Sequence, residues 1–208
     1  KDLGNINEAK VNINNAIKLS PKEANYYLSL GLIEEDQGDL DKAEEFIRKA
    51  ININPNIASA YSDLGSILKD KGQLKEAKEN FIKALEMDSK IFIAYFAFSL
   101  FKDCIQNESF LKRLMSFDLS NIKYSEDRIN INFAKANVFH LQGDFENSSK
   151  FLRLANNEKL SSHPSDLDNI IKAGKKQIRE FKAFIKNWNK RSNLVFITHY
   201  VFINVLLN

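Results

Sequence analysis

Residues 24–55 read ANYYLSLGLIEEDQGDLDKAEEFIRKAININP, and residues 58–89 read ASAYSDLGSILKDKGQLKEAKENFIKALEMDS. The second stretch repeats the first. Tyr27, Leu30, Gly31, Gly38, Leu40, Ala43, Glu45, Lys49 and Ala50 recur as Tyr61, Leu64, Gly65, Gly72, Leu74, Ala77, Glu79, Lys83 and Ala84, each pair 34 residues apart. A fixed period of this length marks stacked supersecondary units, none of which buries its apolar face alone. The chemistry at the period predicts two helices per unit. Gly31 and Gly65 fall mid-helix, where a missing side chain lets a second helix come close. Gly38 and Gly72 supply the open backbone of a tight helix-to-helix turn. Ala43 and Ala50, like Ala77 and Ala84, lie on the side of the second helix that faces the first. Pro55 ends the unit, because proline has no N–H and a fixed φ. A first helix, here the A helix, is predicted over 24–37, and a second, the B helix, over 40–53. The pattern restarts at Ala58 and Leu74.

The register extends both ways. Gly4, Ile6, Ala9, Ala16 and Pro21 stand 34 before Gly38, Leu40, Ala43, Ala50 and Pro55, so residues 1–21 read as the back half of a repeat. A chain that begins inside a unit is expected to be a piece of a longer protein. Residues 22–55 and 56–89 are full repeats. Residues 90–127 are a degenerate one: Tyr95 holds the aromatic position, while Ser99, Gln106 and Leu111 replace the mid-helix Gly, the turn Gly and the small Ala. Its first helix is expected from Phe92 to Cys104, apolar on nearly every side and so buried on both faces. A loop over Leu119–Asp127 absorbs three extra residues. A further pair follows over 128–160, with Ala136, Phe139, Gly143, Phe145, Ser148, Leu152 and Ala155 at the small, aromatic, turn and packing positions. Ser161-Ser162-His163-Pro164 is expected to break the chain. A capping helix over 161–190 carries Leu167, Ile170, Ile171, Ile178, Phe181, Ile185 and Trp188 at helical spacing. Residues 191–208 read as the truncated start of another segment, with an apolar strand over Leu194–Thr198 and an apolar run from Tyr200 to Leu207.

The 34-residue spacing and these motifs resemble the tetratricopeptide repeat (TPR) family. The resemblance implies an all-α helix-pair solenoid, a right-handed superhelix whose inner groove is lined by the A helices and holds a peptide or partner protein. It also implies which positions line that groove. In the first full repeat these are Asn25, Leu28, Ser29, Leu32, Glu35 and Asp36. In the second they are Ser59, Ser62, Asp63, Ser66, Lys69 and Asp70, and in the degenerate one Ile93, Phe96, Ala97 and Leu100. Family members that clamp a peptide's terminal carboxylate use Lys, Arg and Asn at such positions, where this chain has Leu28, Leu32 and Asp63. The expected ligand is therefore an apolar segment bearing Lys or Arg.

Composition narrows the function classes. The chain is 44% hydrophobic and 27% charged, as ordinary water-soluble chains are. Residues 1–90 carry 13 basic and 16 acidic residues, 91–160 carry 9 and 8, and 161–208 carry 8 and 3. That basic tail is too weak to point to nucleic acid. Cys104 is the sole cysteine, so no intrachain disulfide and no Cys-based zinc site are possible. A reducing, cytoplasmic and bacterial setting is expected, with no cofactor or metal. The apolar end is too short for a bilayer, which needs about 20 residues. The oligomeric state is not legible.

Two resemblances point beyond a scaffold. The array, the irregular pair, the Pro-Ser break and the charged helix look like the N-terminal arm of bacterial TPR-sulfotransferases. His199-Tyr200-Val201, however, lacks the residues of a phosphosulfate loop. Residues 194–207, read as a strand, Thr198-His199 and a helix, resemble the segment carrying the second active-site histidine of histidine phosphatases, an anion site beside a helix N-terminus. No Arg-His-Gly motif accompanies His199. His140 and His163 read as packing or surface residues. Purified residues 1–208 are therefore expected to turn over neither phosphomonoesters nor sulfuryl acceptors. Turnover abolished by His199→Ala would overturn this.

Overall fold

The computed structural model describes residues 3–162 and Arg179, and every regular element among them is helical. α1 (Leu3–Leu19) runs through Gly4, where the register placed a turn, whereas α2 (Ala24–Asp36), α3 (Leu40–Ile53), α4 (Ala58–Asp70) and α5 (Leu74–Met87) follow the sequence reading closely. Then come α6 (Phe92–Ser99), a 3₁₀ turn (Lys102–Gln106), α7 (Glu108–Ser116), a second 3₁₀ turn (Leu119–Asn121), α8 (Ser125–Leu141) and α9 (Phe145–Ser162). Residues 1–159 form one compact unit, and a second begins at Leu160. The expected capping helix and the segment holding His199 lie outside the described residues.

The period is built from a few physical devices. α2 pairs with α3 and α4 with α5, and α3 passes its outer side to α4 as α5 does to α6. A Cβ placed on Gly31 would sit 2.6 Å from the Ile47 side chain, and one on Gly65 would sit 2.8 Å from the Phe81 ring. Those glycines are what let each pair close, and Ile47 and Phe81 are fully buried in return. Gly38, Gly72 and Gly143 have φ of 82°, 77° and 81°, the left-handed region that glycine enters without strain. Each donates its N–H three residues back, to Glu35, Lys69 and His140, while the next residue's N–H reaches Glu34, Leu68 and Phe139. This reverses the chain and satisfies the last carbonyls of the helix.

Charge and ring contacts repeat with the same period. Lys10, Glu44 and Lys78, 34 residues apart, each reach the end of the following A helix or the residues just past it. Lys10 pairs with Glu34 at 2.6 Å and Glu44 with Lys71 at 2.7 Å, while Lys78 meets Asp103. Lys49 lies 4.5 Å from the Tyr27 ring and Lys83 4.1 Å from that of Tyr61. In the degenerate repeat Phe117 takes the lysine's place, edge-on to Tyr95 at 5.1 Å.

The degenerate repeat departs from expectation in three ways. α6 stops at Ser99 instead of Cys104, and with Gln106 in place of the turn glycine the chain goes on through extended Phe101 and a 3₁₀ turn. α6 is not buried all round, since Ile93 is 47% and Leu100 51% exposed. The second helix has also turned. Register would bury Leu111 and Met115, yet Phe110 and Leu114 are buried while Met115 is exposed. A shift of one residue is a rotation of about 100°. Ser99 and Leu111 are bulkier than the Gly and Ala they replace, so the seam cannot close as before.

α8 takes up the freed surface of α6. Asn137 donates to Ser99 Oγ at 2.9 Å, and the Phe96 and Phe133 rings lie 5.7 Å apart. The connection into α8 is shorter than expected, with the helix beginning at Ser125. Two α8 cations hold that connection by its carbonyls: Lys135 donates to Phe117 O at 3.1 Å, and Arg128 to Ile122 O and Lys123 O at 2.6 and 3.0 Å. Arg128 also meets Glu158 of α9 at 2.5 Å. α9 continues through Ser161 and Ser162, which were expected to break it; serine is tolerated in a last turn, and proline comes only at 164.

Tyr27 donates its hydroxyl to Pro21 O at 3.2 Å. The matching Tyr95 ring is fully buried, and its hydroxyl has no partner among the described residues. Tyr27→Phe is expected to cost about 0.5–1.5 kcal/mol, the worth of one such bond. Tyr95→Phe should be neutral or stabilising, because it removes an unsatisfied buried group. Urea midpoints check this, and equal losses for the two would contradict it.

Candidate functional site

α2, α4 and α6 touch in chain order, so their outward positions make one continuous A-helix face. The sixteen residues anticipated there divide by burial. Leu28, Ser62 and Ala97 are 8%, 2% and 6% exposed, so they support the face from beneath. Asn25 is exposed and donates to Glu23 at 3.0 Å, and Ser29 donates back to Asn25 O at 2.9 Å. Leu32 is exposed, as are Ser59, Asp36 and Asp70, while Ser66 is half-buried. Asp36 has interactions of its own.

Acidic groups gather where α2 meets α4. Burial raises the Asp63 carboxyl to about 6, and the neighbouring Glu35 charge adds to the rise. Glu35 is raised by its own burial first, then by Asp70 and Asp36, with Lys69 opposing. Lys69 pairs with Asp70 at 3.2 Å. Two half-buried carboxylates thus face one another across the seam between repeats, with less positive charge beside them than they could use.

The next part of the face is apolar. Ile93 and Leu100 are about half exposed, and the half-buried Phe96 ring meets Phe133 of α8. The sequence reading did not place Phe133 or Asn137 on this face. Their signal was present: Phe133 stands ten residues before Gly143, as Leu28 and Ser62 stand ten before Gly38 and Gly72. Asn137 likewise matches Leu32 and Ser66. The three-residue insertion hid the match.

Reactive chemistry does not gather here. Cys104 is fully buried, and burial pushes its thiol up to about 11, with Asp103 adding to the rise, so the thiolate is suppressed. His140 is exposed and lies edge-on to Phe145 at 5.5 Å. Among the described residues no cluster of His, Cys, Asp or Glu could hold a metal ion, and no helix is long and apolar enough to cross a membrane. His199 lies outside them.

Residues 24–57 and 58–91 each match the tetratricopeptide repeat family. Among solved structures, a tetratricopeptide repeat protein from Parabacteroides merdae superposes with a TM-score of 0.57 at 15% identity, over 89% of this chain and 74% of that one. MamA superposes with a TM-score of 0.54 at 18% identity, over 77% of this chain and 92% of its own. No curated protein matches the sequence. The fold is therefore a TPR helix-pair solenoid, as the period implied.

A carboxyl raised from 3.8 to about 6 by folding weakens the folded state as pH rises. The penalty is absent below pH 4, grows between 4 and 6 as only the unfolded chain releases its proton, and is complete above 6. Asp63→Asn should therefore stabilise the protein at pH 7.5 by about 1–2 kcal/mol, allowing for solvent at a half-buried group. That gain should vanish near pH 4. Thermal midpoints at the two pH values check this.

Proposed function

We propose that this chain is a non-catalytic interaction scaffold that binds a peptide or partner protein in the groove formed by its A helices. The observation that carries the reading is the pairing of half-buried, underneutralised carboxylates (Glu35, Asp63) with an adjoining exposed apolar patch (Ile93, Phe96, Leu100). Most surface carboxylates are fully solvated and keep ordinary proton affinity. Here a cationic ligand group would add to the partial compensation by Lys69, and an apolar side chain would cover the patch. The ligand is thus an apolar segment bearing Lys or Arg, bound without a cofactor or metal. Stacked helix pairs suit this role because each adds the same kind of surface to a continuous track. The free, buried Cys104 fits a reducing, cytoplasmic setting.

A peptide array probed with purified protein tests the reading. Peptides carrying Lys or Arg among apolar residues should be enriched, and Asp63→Lys should weaken them at least tenfold. Raising salt from 50 to 500 mM should weaken binding only modestly, because apolar contact shares the load. Enrichment of acidic C-terminal peptides, or indifference to Asp63→Lys, would overturn it.

A further inference from the structure

The apolar patch does not end at α6. α8 packs along α6, and Phe133 reaches the Phe96 ring at 5.7 Å. Asn137, bonded to Ser99 Oγ at 2.9 Å, fixes α8 in that position. Ile93, 47% exposed, and Leu100, 51% exposed, flank the ring pair. Two neighbours away on the face, Glu35 and Asp63 gather across the α2–α4 seam, with Asp70 acting on Glu35. The face therefore has two unlike ends at a fixed separation.

Helix geometry sets that separation. Packed helices lie about 8–10 Å apart, so the α2–α4 and α6–α8 seams, two helix steps apart, are about 16–20 Å apart. An extended peptide rises about 3.3 Å per residue and covers this in five or six residues. A helical peptide, rising about 1.5 Å per residue, needs about 11–13.

We propose that the A-helix face is a two-point ruler. It takes an extended segment with a Lys or Arg seated at Glu35 and Asp63 and an aromatic side chain, five or six residues away, seated against Phe96 and Phe133. The proposal rests on the groove reading above and adds the identity and spacing of the two anchors. Charge complementarity fixes one end, since a base relieves the mutual repulsion of the carboxylates. At the other end, offset or edge-on ring contact with two half-buried phenylalanines favours an aromatic side chain over an aliphatic one. The residues between the anchors need only keep the chain extended across α4, where the half-buried Ser66 presents a small side chain. Two weak contacts joined at the right distance reinforce each other strongly, and lose that reinforcement when the span is wrong.

Fluorescein-labelled peptides on a Ser-Thr-Val background test this, each carrying one Arg and one Phe at separations from two to twelve residues. Their anisotropy is read against residues 1–208. Affinity should peak at a separation of five or six, fall at least tenfold at two, where the chain cannot span both anchors, and fall about twofold at nine. Phe133→Ser should flatten this profile while leaving an Arg-only peptide unchanged. Leu100→Ser, at an exposed site just past the end of α6, should blunt it without risk to folding, and circular dichroism checks that both variants remain helical. A profile flat with separation, or a single peak at eleven to thirteen, would overturn the ruler yet leave the groove reading standing, provided Asp63→Lys still weakens binding. If no peptide binds, both fail. Self-association of the protein that Phe133→Ser abolishes would assign the patch to a second copy and overturn the ruler as well.

Discussion

The close approach of paired helices at Gly31 and Gly65 is the constraint on which the array depends. Each glycine leaves a gap that one large side chain of the partner helix fills completely, Ile47 in one pair and the Phe81 ring in the next. Because the gap accepts only one facing residue, it fixes the rotation of the second helix, and so the set of residues passed to the next repeat. The degenerate repeat shows the consequence. With Ser99 at that position, α7 turns by about one residue and buries Phe110 and Leu114 instead. Phe110 then meets both Tyr95 and Phe98, at 5.6 and 4.9 Å, so aromatic contact replaces the lost seam. α6 is left with a surface that α8 covers. Ser99 and Leu111, both bulkier than the residues they replace, thus go with a changed packing of three helices.

Charges refine this register without creating it. The latches at Glu44 and Lys78 are partly exposed, and each such pair is worth about 0–1 kcal/mol, while Lys10 meets the buried Glu34. Apolar burial supplies the bulk of the stability. The latches do alternate in sign, however, with Lys10 and Lys78 cationic and Glu44 anionic. A repeat placed out of order would set like charges together at its junctions. Their contribution lies in discriminating between arrangements more than in total stability.

The A-helix face inherits its character from the same geometry. Stacking brings successive A helices side by side, so two modest acidic residues 28 apart in sequence and at different positions of their repeats, Glu35 and Asp63, come close enough for one charge to act on the other. Each is half-buried by the helix beside it, and burial raises both. Where the third repeat is irregular, its apolar residues stay partly uncovered instead of being sealed beneath a regular neighbour. The polar and apolar ends of the face thus have one origin: a regular part of the array next to a disturbed one.

The helices of the regular repeats, their glycine turns and the existence of a helix-pair solenoid were determined by the sequence alone. Those features depend on residues at short range or at a fixed period, such as Gly38 and Gly72 at left-handed turns and Ala43 and Ala77 at the seam. The A-helix positions expected on the face came from the resemblance to the TPR family carried over by register, since spacing alone does not say which of them stay uncovered. Tertiary structure decided how the degenerate repeat resolves. Whether Ser99 would be accommodated by opening the seam, by turning α7 or by moving α8 depends on the relative cost of three packings, and no local pattern encodes that comparison. It likewise decided that Leu28, Ser62 and Ala97 lie beneath the face and that Phe133 joins it. Burial at those positions is set by how closely neighbouring helices approach, which depends on every side chain between them.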